Sequence, residues 1–574
     1  MVKNRLICTA NEDLISINDR NILMGEWCLT DKIFKKKIMN LNFGICEYHY
    51  MNNQNKVIKD WNYLFTLYDK VMNALSIKLN EYHKENFSRR YWEILAGQTL
   101  VHLLSILWDR WETIKSAEKK FNINEVAILK YNSSDYIPKD FNDLLSNKYD
   151  DHFWNNCVYS EIIKDSFKIK IVEVDHKKKK DFNFSKKLKN NNFNFYSLID
   201  TFLSKIIKEK VLLYKFGGKK TFSYMIKQFE LSRFYNEFRN QITFKNKLNR
   251  KNLFLDLDPK NLFEEMLSRK LLNFLPISHL EGFRDINLYL AKIKPEPKYV
   301  ITTYGHVFDD LFKIWTASKV EKKISKFIIC SHGGFVENSI CFDSWLNISD
   351  KFITWENKKH LKCLQLPPQY SLNFKQIKKF NNKKILFCTA NASLYLHRIQ
   401  DYILGSQIKL YLNFWKKFIS KLNINMKKNI VVRQIPNSDP WFQKKEFEEI
   451  LGKKAISKKK KFMDEVKDSK IIINTALQTT FFESMLSGVP TIVLLKNDLW
   501  NLSEEGKEIY DLLIENKIIF KNDDNLINHL NEIDANPLSW WNSSDLISVR
   551  NKFHDYFCNF KNEKKWNNFF ASLN

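Results

Sequence analysis

The sequence predicts an α/β protein with two domains built on parallel sheets. Two apolar runs carry this expectation. Arg5–Ala10 (RLICTA) and Lys384–Ala390 (KILFCTA) each open on a basic residue and end in Cys-Thr-Ala-Asn, at Cys8–Asn11 and Cys388–Asn391. A short buried run that passes into a small polar loop is how the first strand of a doubly wound domain reaches its ligand edge. The third observation is the alternation of strand-like and helix-like segments after each start, which favours parallel pairing.

In the N-terminal part, 60–79 and 91–111 place apolar residues at helical spacing, for example Tyr91, Ile94, Leu95, Leu103, Leu104 and Leu107. These read as long helices inserted in the first domain. The stretch 167–194 holds the lysine runs 177–180 and 186–189 and reads as an exposed excursion. Val211–Tyr214, before Gly217 and Gly218, reads as a strand and turn. Tyr299–Tyr304, Val307–Ser318 and Lys326–Cys330 read as a β-α-β unit, with a further strand at Lys351–Trp355. Leu366–Asn382 carries Pro367 and Pro368 and reads as an interdomain linker. Strands at Ile385–Thr389, Asn429–Gln434, Ile471–Asn474 and Thr491–Leu495 follow, with helices at Ile408–Leu422 and near Thr480–Ser487 and a basic loop to Lys461. The expected division is 1–365, 383–539 and a helical tail at 540–574 that returns to the N-terminal domain.

Composition narrows the class. The chain has 574 residues, 44% hydrophobic and 27% charged, which fits a globular protein. No apolar run approaches the ~18 residues of a membrane span, and the apolar core near the N-terminus is too short for a signal peptide. Nine scattered cysteines without a C-x-x-C pair argue against a disulfide framework or zinc site and for a reducing, cytoplasmic location. The net charge is +27, but 79 of the basic residues are Lys and only 13 are Arg. A phosphate reader gains from the planar Arg fork. The balance therefore argues against nucleic acid and for solvated lysines, with peripheral contact to an anionic inner membrane face as a further expectation.

The strongest local signal is Lys470–Lys496. A buried strand enters the polar loop Asn474–Thr480; a helix follows, with Thr479 or Thr480 as its cap and Glu483 in its first turn. Gly488 and Pro490 stop it before the next strand. Free N–H groups at such a helix start favour phosphate, and a nearby carboxylate can accept hydrogen bonds from ribose hydroxyls. Alternatively, Glu483 only complements the helix dipole. Phe327–Gly334 (FIICSHGG) places His332 at the end of an apolar strand, suited to accept a proton from an acceptor hydroxyl; a hydrogen-bonded structural histidine is the alternative. Tyr304-Gly305-His306 is a weaker strand end of the same kind. Arg398 and Arg433 lie near strand ends, where guanidinium forks suit a leaving diphosphate, and Asn391–Ser393 offers loop amides. Glu26, in Gly25-Glu26-Trp27-Cys28, is a candidate acceptor contact or general base. Asp256–Asp258 (DLD) sits in a linker-like stretch and is not expected to hold a metal; no other metal or cofactor site is expected.

The run Glu483-Ser-Met-Leu-Ser-Gly488-Val-Pro490-Thr-Ile resembles the donor-site helix of GT-B glycosyltransferases, with Glu483 matching the acid that binds the donor ribose. More widely, the chain resembles a family of bacterial surface-polysaccharide transferases through Leu23–Cys28, Tyr91–Trp111, His332-Gly333-Gly334 and the tail Trp540-Trp541 to Phe553. The pattern departs at Glu356, where a glycine is expected. The resemblance implies two Rossmann-like domains facing a cleft. It also implies metal-independent transfer of a sugar from a nucleotide-sugar donor to a glycan or lipid-linked acceptor of the cell envelope. Glu483, Thr479, Thr480, Arg398, Arg433 and Asn391 would serve the donor, and His332 and Glu26 the chemistry. A polyol-phosphate or sugar-acid transferase on the same fold, a basic nucleic-acid-binding protein and a scaffold at the inner membrane face are the alternatives.

Overall fold

The computed structural model describes residues 2–175, 211–216, 250, 252–291, 293, 296–333, 340–368, 383–400, 402–435, 438–496, 499, 506–558 and 564–573. Among these, fifteen strands form three five-stranded sheets, every pairing parallel. The first sheet contains β1 (Asn4–Ile7), β2 (Arg20–Leu23), β3 (Phe43–Ile45), β4 (Glu125–Leu129) and β5 (Lys170–Val174), in the order β3-β2-β1-β4-β5. The second contains β6 (Val211–Tyr214), β7 (Tyr299–Thr302), β8 (Lys326–Cys330), β9 (Lys351–Thr354) and β10 (Cys363–Gln365), in simple sequential order. The third contains β11 (Lys384–Cys388), β12 (Ile430–Arg433), β13 (Ser469–Asn474), β14 (Thr491–Leu494) and β15 (Ile519–Phe520), in the order β12-β11-β13-β14-β15.

The parallel α/β class read from the sequence holds, but the sheets number three. The two Cys-Thr-Ala-Asn starts are the first strands of the first and third sheets. The strands from Val211 to Gln365 form a sheet of their own, not an extension of the first. A second correction concerns 167–194: Lys170–Val174 is an edge strand paired with β4, and the lysine runs lie outside the described residues. Gly217, Gly218, Gly334 and most of the expected linker also lie outside them. The loop expected up to Lys461 contains the helix Gln443–Leu451.

One helix, Arg89–Lys120, joins the three units. Ser88 caps it by accepting from the Tyr91 amide, and most of its residues from Tyr91 to Ala117 are buried on every side. Burial all round is the mark of a core helix. One side meets the helices Gln54–His83 and His152–Ser166 of the first unit; another meets Asp310–Glu321 and Ile340–Ile348 of the second. Trp345 Nε1 donates to Gln98 Oε1 at 2.8 Å across the latter seam.

The third unit is held to this helix by a buried guanidinium. Arg110, fully buried, donates to Asp109 Oδ2 (2.6 Å), Asn155 Oδ1 (2.7 Å) and the Leu396 carbonyl (2.7 Å). Leu396 belongs to the loop after β11. Tyr48 donates to Asp109 at 2.6 Å, and His49 lies 3.1 Å away. Burial alone would raise the Asp109 carboxyl; the His49 hydrogen bond and the Arg110 charge overcome it and hold it below the usual range. Asp150 accepts from the Tyr395 amide at 3.2 Å, and the Tyr395 hydroxyl bonds His152 Nδ1 at 2.7 Å.

The C-terminal segment packs on the second sheet. Trp566, Phe569, Phe570 and Leu573 share an apolar cluster with Val211, Leu213, Ile301, Ile328 and Ile353. Trp566 Nε1 donates to the Pro367 carbonyl at 2.8 Å. The Asn357 amide donates to the Tyr556 carbonyl at 2.8 Å.

Replacing Arg110 by Ala leaves the Asp109 carboxylate buried without its cation, and unfolding should become easier by about 3–5 kcal/mol. Arg110→Lys should recover little, because one ammonium cannot serve both Asn155 and the Leu396 carbonyl. Denaturant unfolding of the three proteins checks this; equal stabilities would show that the loop is held by packing instead.

Candidate active site between the second and third sheets

The strand order of the third sheet reverses between β11 and β13. In open parallel sheets the crevice beyond the carboxyl ends at such a reversal is where ligands bind. The Thr475 hydroxyl lies between the two loops at this point: it donates to the Cys388 carbonyl at 2.9 Å and accepts from the Ala390 amide at 3.0 Å. The first sheet also reverses, between β1 and β4, but there Trp27 Nε1 donates to the Cys8 carbonyl at 2.9 Å and its ring packs 5.3 Å from Tyr395. That edge is used for docking the third unit. The second sheet has no reversal.

The helix Thr479–Ser487 follows β13. Its N-cap is Gln478, extended in backbone and without a side-chain cap, so the expected capping by Thr479 or Thr480 does not occur. The first N–H groups of an uncapped helix are left for water or a ligand. Glu483 is the fifth helical residue and lies in the second turn, one turn below Thr479 on the same face. Gly488 (φ +83°) ends the helix in the left-handed conformation that glycine accepts without strain.

Glu483 is half-buried, and burial pushes its carboxyl up to about 7; the positive charge of Arg433 opposes the shift. Arg433 ends β12 and gives its Nη1 to the Lys459 carbonyl at 2.8 Å and its Nη2 to the Lys460 carbonyl at 3.2 Å. It fixes the basic loop while acting on Glu483 through space. The Asn391 side chain donates to the Ser438 carbonyl at 3.0 Å and accepts from Gln443 Nε2 at 2.7 Å, so it ties loops together.

The carboxyl end of β8 faces this helix. A Cβ built on Gly333 would lie 3.1 Å from Thr479 Oγ1, so the two edges meet where a side chain would push them apart. Trp355, after β9, lies 6.5 Å from Phe482, ring to ring. His332 keeps an open face toward solvent, with Tyr304 at 4.7 Å and Trp345 at 5.9 Å around the rest of the ring. Burial among these neighbours, followed by the Arg398 charge, lowers its pKa to about 4.

Arg398 acts on two further histidines that the sequence reading missed. His102, on the long helix, stacks on His397 at 5.3 Å and 18°. Burial first, then the Arg398 charge, lowers His397 to about 3; His102 also falls well below its ordinary value, first by burial. At neutral pH all three imidazoles are uncharged beside one guanidinium. Arg398 Nη2 donates to Gln400 Oε1 at 3.0 Å.

Gly333, next to His332, thus meets Thr479, whose helix carries Thr480 and Glu483, and the Arg398 charge is felt at His332. Glu26 is not among them: it lines a separate groove with Lys32, Lys409 and Trp441. Glu356 is buried at the end of β9, its amide donating to Thr354 Oγ1 at 3.2 Å. Among the described residues, no group of three or more His, Cys, Asp or Glu could hold a metal ion, and no helix is long and apolar enough to cross a membrane.

None of the curated proteins matches this chain. A solved structure, WaaG, described as a glycosyltransferase involved in lipopolysaccharide biosynthesis, is similar at 10% identity, covering 48% of this chain and 94% of that one with a TM-score of 0.28. The profile of the LIC12162 family of transferases matches residues 4–570, nearly the whole chain, and the protein is a member of that transferase family.

Proposed function

We propose that the protein is a glycosyltransferase that moves a sugar from a nucleotide-sugar donor to a glycan or lipid-linked acceptor without a metal ion. The observation that carries this is the meeting of two carboxyl edges at Gly333 and Thr479. It sets a neutral imidazole opposite an uncapped helix that bears a half-buried carboxylate. The Glu483 carboxylate accepts the ribose hydroxyls. The free N–H groups at Thr479 and Thr480 meet the diphosphate, and Arg398 meets the negative charge that grows as it leaves. Arg433 favours the ionised form of Glu483.

In the transfer, the acceptor oxygen bonds to the anomeric carbon as the bond from that carbon to the phosphate oxygen breaks. The hydroxyl proton passes to His332, and the electron pair leaves with the nucleoside diphosphate. A histidine at about 4 is by itself a weak base. An arriving diphosphate offsets the Arg398 charge and raises the basicity of His332 when it is needed.

A panel of nucleoside diphosphates tested by thermal shift on the whole protein should contain one that stabilises it, by ~2.7 kcal/mol at a hundredfold excess over Kd. The base of that nucleotide, or a cytidine diphosphate linked to a polyol, then identifies the donor class. Glu483→Ala should remove the shift. No shift from any nucleotide, or one that survives Glu483→Ala, overturns the reading. His332→Ala should keep nucleotide protection and lower transfer by ~10²–10⁴-fold.

Glu483→Gln separates stability from binding. Because the folded-state carboxyl sits near 7, above its value in an unfolded chain, its contribution is fully present below about pH 4.5 and is lost as pH rises through 7. The neutral variant should therefore melt ~2–4 °C higher than the parent at pH 8 and gain progressively less toward pH 5, while losing nucleotide protection. A variant no more stable at pH 8 than at pH 5 would show that the carboxylate is well solvated.

A further inference from the structure

We propose that the groove between the first and third units binds an acidic oligosaccharide. The groove has a volume of about 820 Å³ and lies apart from the cleft at Gly333. One wall is the helix Lys32–Ile38, which presents Lys32, Lys35 and Lys36. The opposite wall is formed by Lys409 and by Lys444, Lys445, Glu446 and Glu448 on the helix Gln443–Leu451, where Lys444 pairs with Glu448 at 3.8 Å and Lys445 with Glu449 at 3.7 Å. Among the described residues, Lys32, Lys35 and Lys36 form no ion pair, although all three are exposed. Lysines on two facing walls attract an anion that enters between them.

The groove also has the features of a sugar site. Phe442 is 41% exposed and held at φ +57°, in the left-handed region that a bulky side chain rarely adopts. The turn that holds it is fixed by Asp439, which accepts from the Gln443 amide at 2.7 Å and the Lys444 amide at 3.0 Å. An exposed ring kept in a strained backbone conformation is a common sign of a binding surface. Here the ring offers an apolar face to a sugar. Glu26 adds a half-buried carboxylate that can accept sugar hydroxyls. A concave site with carboxylates between its lysines suits a chain with spaced charges and many hydroxyls. It suits less well a flat lipid surface or a nucleic acid with a phosphate at every step.

The wall is tied to the cleft. Trp441 Nε1 donates to the Ser393 carbonyl at 3.1 Å, and Asn391 bonds Ser438. From Asn391 the same loop runs to Arg398 beside His332. Seven residues of chain reach at most ~25 Å, so one oligosaccharide can occupy the groove while its end lies in the cleft. That this oligosaccharide is the acceptor rests on the transfer reading above; that the groove binds it does not.

Calorimetric titration of the whole protein with a hexameric oligogalacturonate, and with neutral maltohexaose, tests this. The uronate should bind and the neutral sugar should not. Lys35→Glu/Lys36→Glu and Lys444→Glu/Lys445→Glu should each weaken uronate binding at least tenfold. Lys453→Glu/Lys454→Glu, with the same change of net charge outside the groove, should leave it unchanged. Phe442→Gly should weaken binding without lowering the melting temperature, since glycine accepts the backbone angle. Equal losses from the control pair, no loss from the groove pairs, or equally groove-dependent binding of anionic vesicles or a single-stranded oligonucleotide would overturn the proposal. Nucleotide protection is measured on the same variants: if it persists while uronate binding fails, this inference alone is lost, and if it is absent throughout, the transfer reading is lost instead.

Discussion

The arrangement depends on a positive charge that has no access to water. Arg110 is sealed inside the protein, and its donors reach a neighbouring carboxylate, an amide side chain and the carbonyl of Leu396. A guanidinium in such a place is tolerated only when each donor is answered. Two of those answers come from the first unit and one from the loop after β11. The loop that carries His397 and Arg398 is therefore positioned by the electrostatic needs of a residue in another unit. The choice of Arg matters, because three acceptors in different directions require a planar, many-donor group.

From that anchor the electrostatics of the cleft follow. Packing strips water from His102 and His397 and from the covered side of His332, and the nearby Arg398 reinforces the result, so the imidazoles stay neutral. The same desolvation acts in the opposite sense on Glu483 and pushes its proton affinity up. The cleft thus holds acids and bases close to their uncharged forms until an anion enters. This is a property of shape as much as of residue type, because burial is the first cause of each shift.

Much of this was legible in the chain. β8 and the Gly488-bounded end of the donor-side helix stand where periodicity and breaker residues place them, because those signals are local. The second sheet was not legible as separate from the first: a run such as Lys326–Cys330 reads the same whichever sheet it joins. β5 was hidden because KIVEV alternates charge with apolar residues at an edge and borders a lysine-rich run. His102 lies on a helix whose apolar periodicity gives it no distinction, and His397 sits in a loop without a motif. Only their stacking across a unit boundary marks them. The threonines looked like caps because their side chains suit that role; the chain turns one residue earlier, at Gln478.

The aromatic end of the chain has a mechanical meaning. The sequence passes from the second sheet to the third, and Trp566, Phe569 and Phe570 bring it back to the sheet it left. On the way, Phe553 and Phe557 touch Phe481 and Phe482 on the donor-side helix. The two halves are therefore connected by covalent chain at two places instead of one. Parting the second and third sheets pulls on aromatic contacts at both ends of this segment, so opening the cleft costs apolar packing.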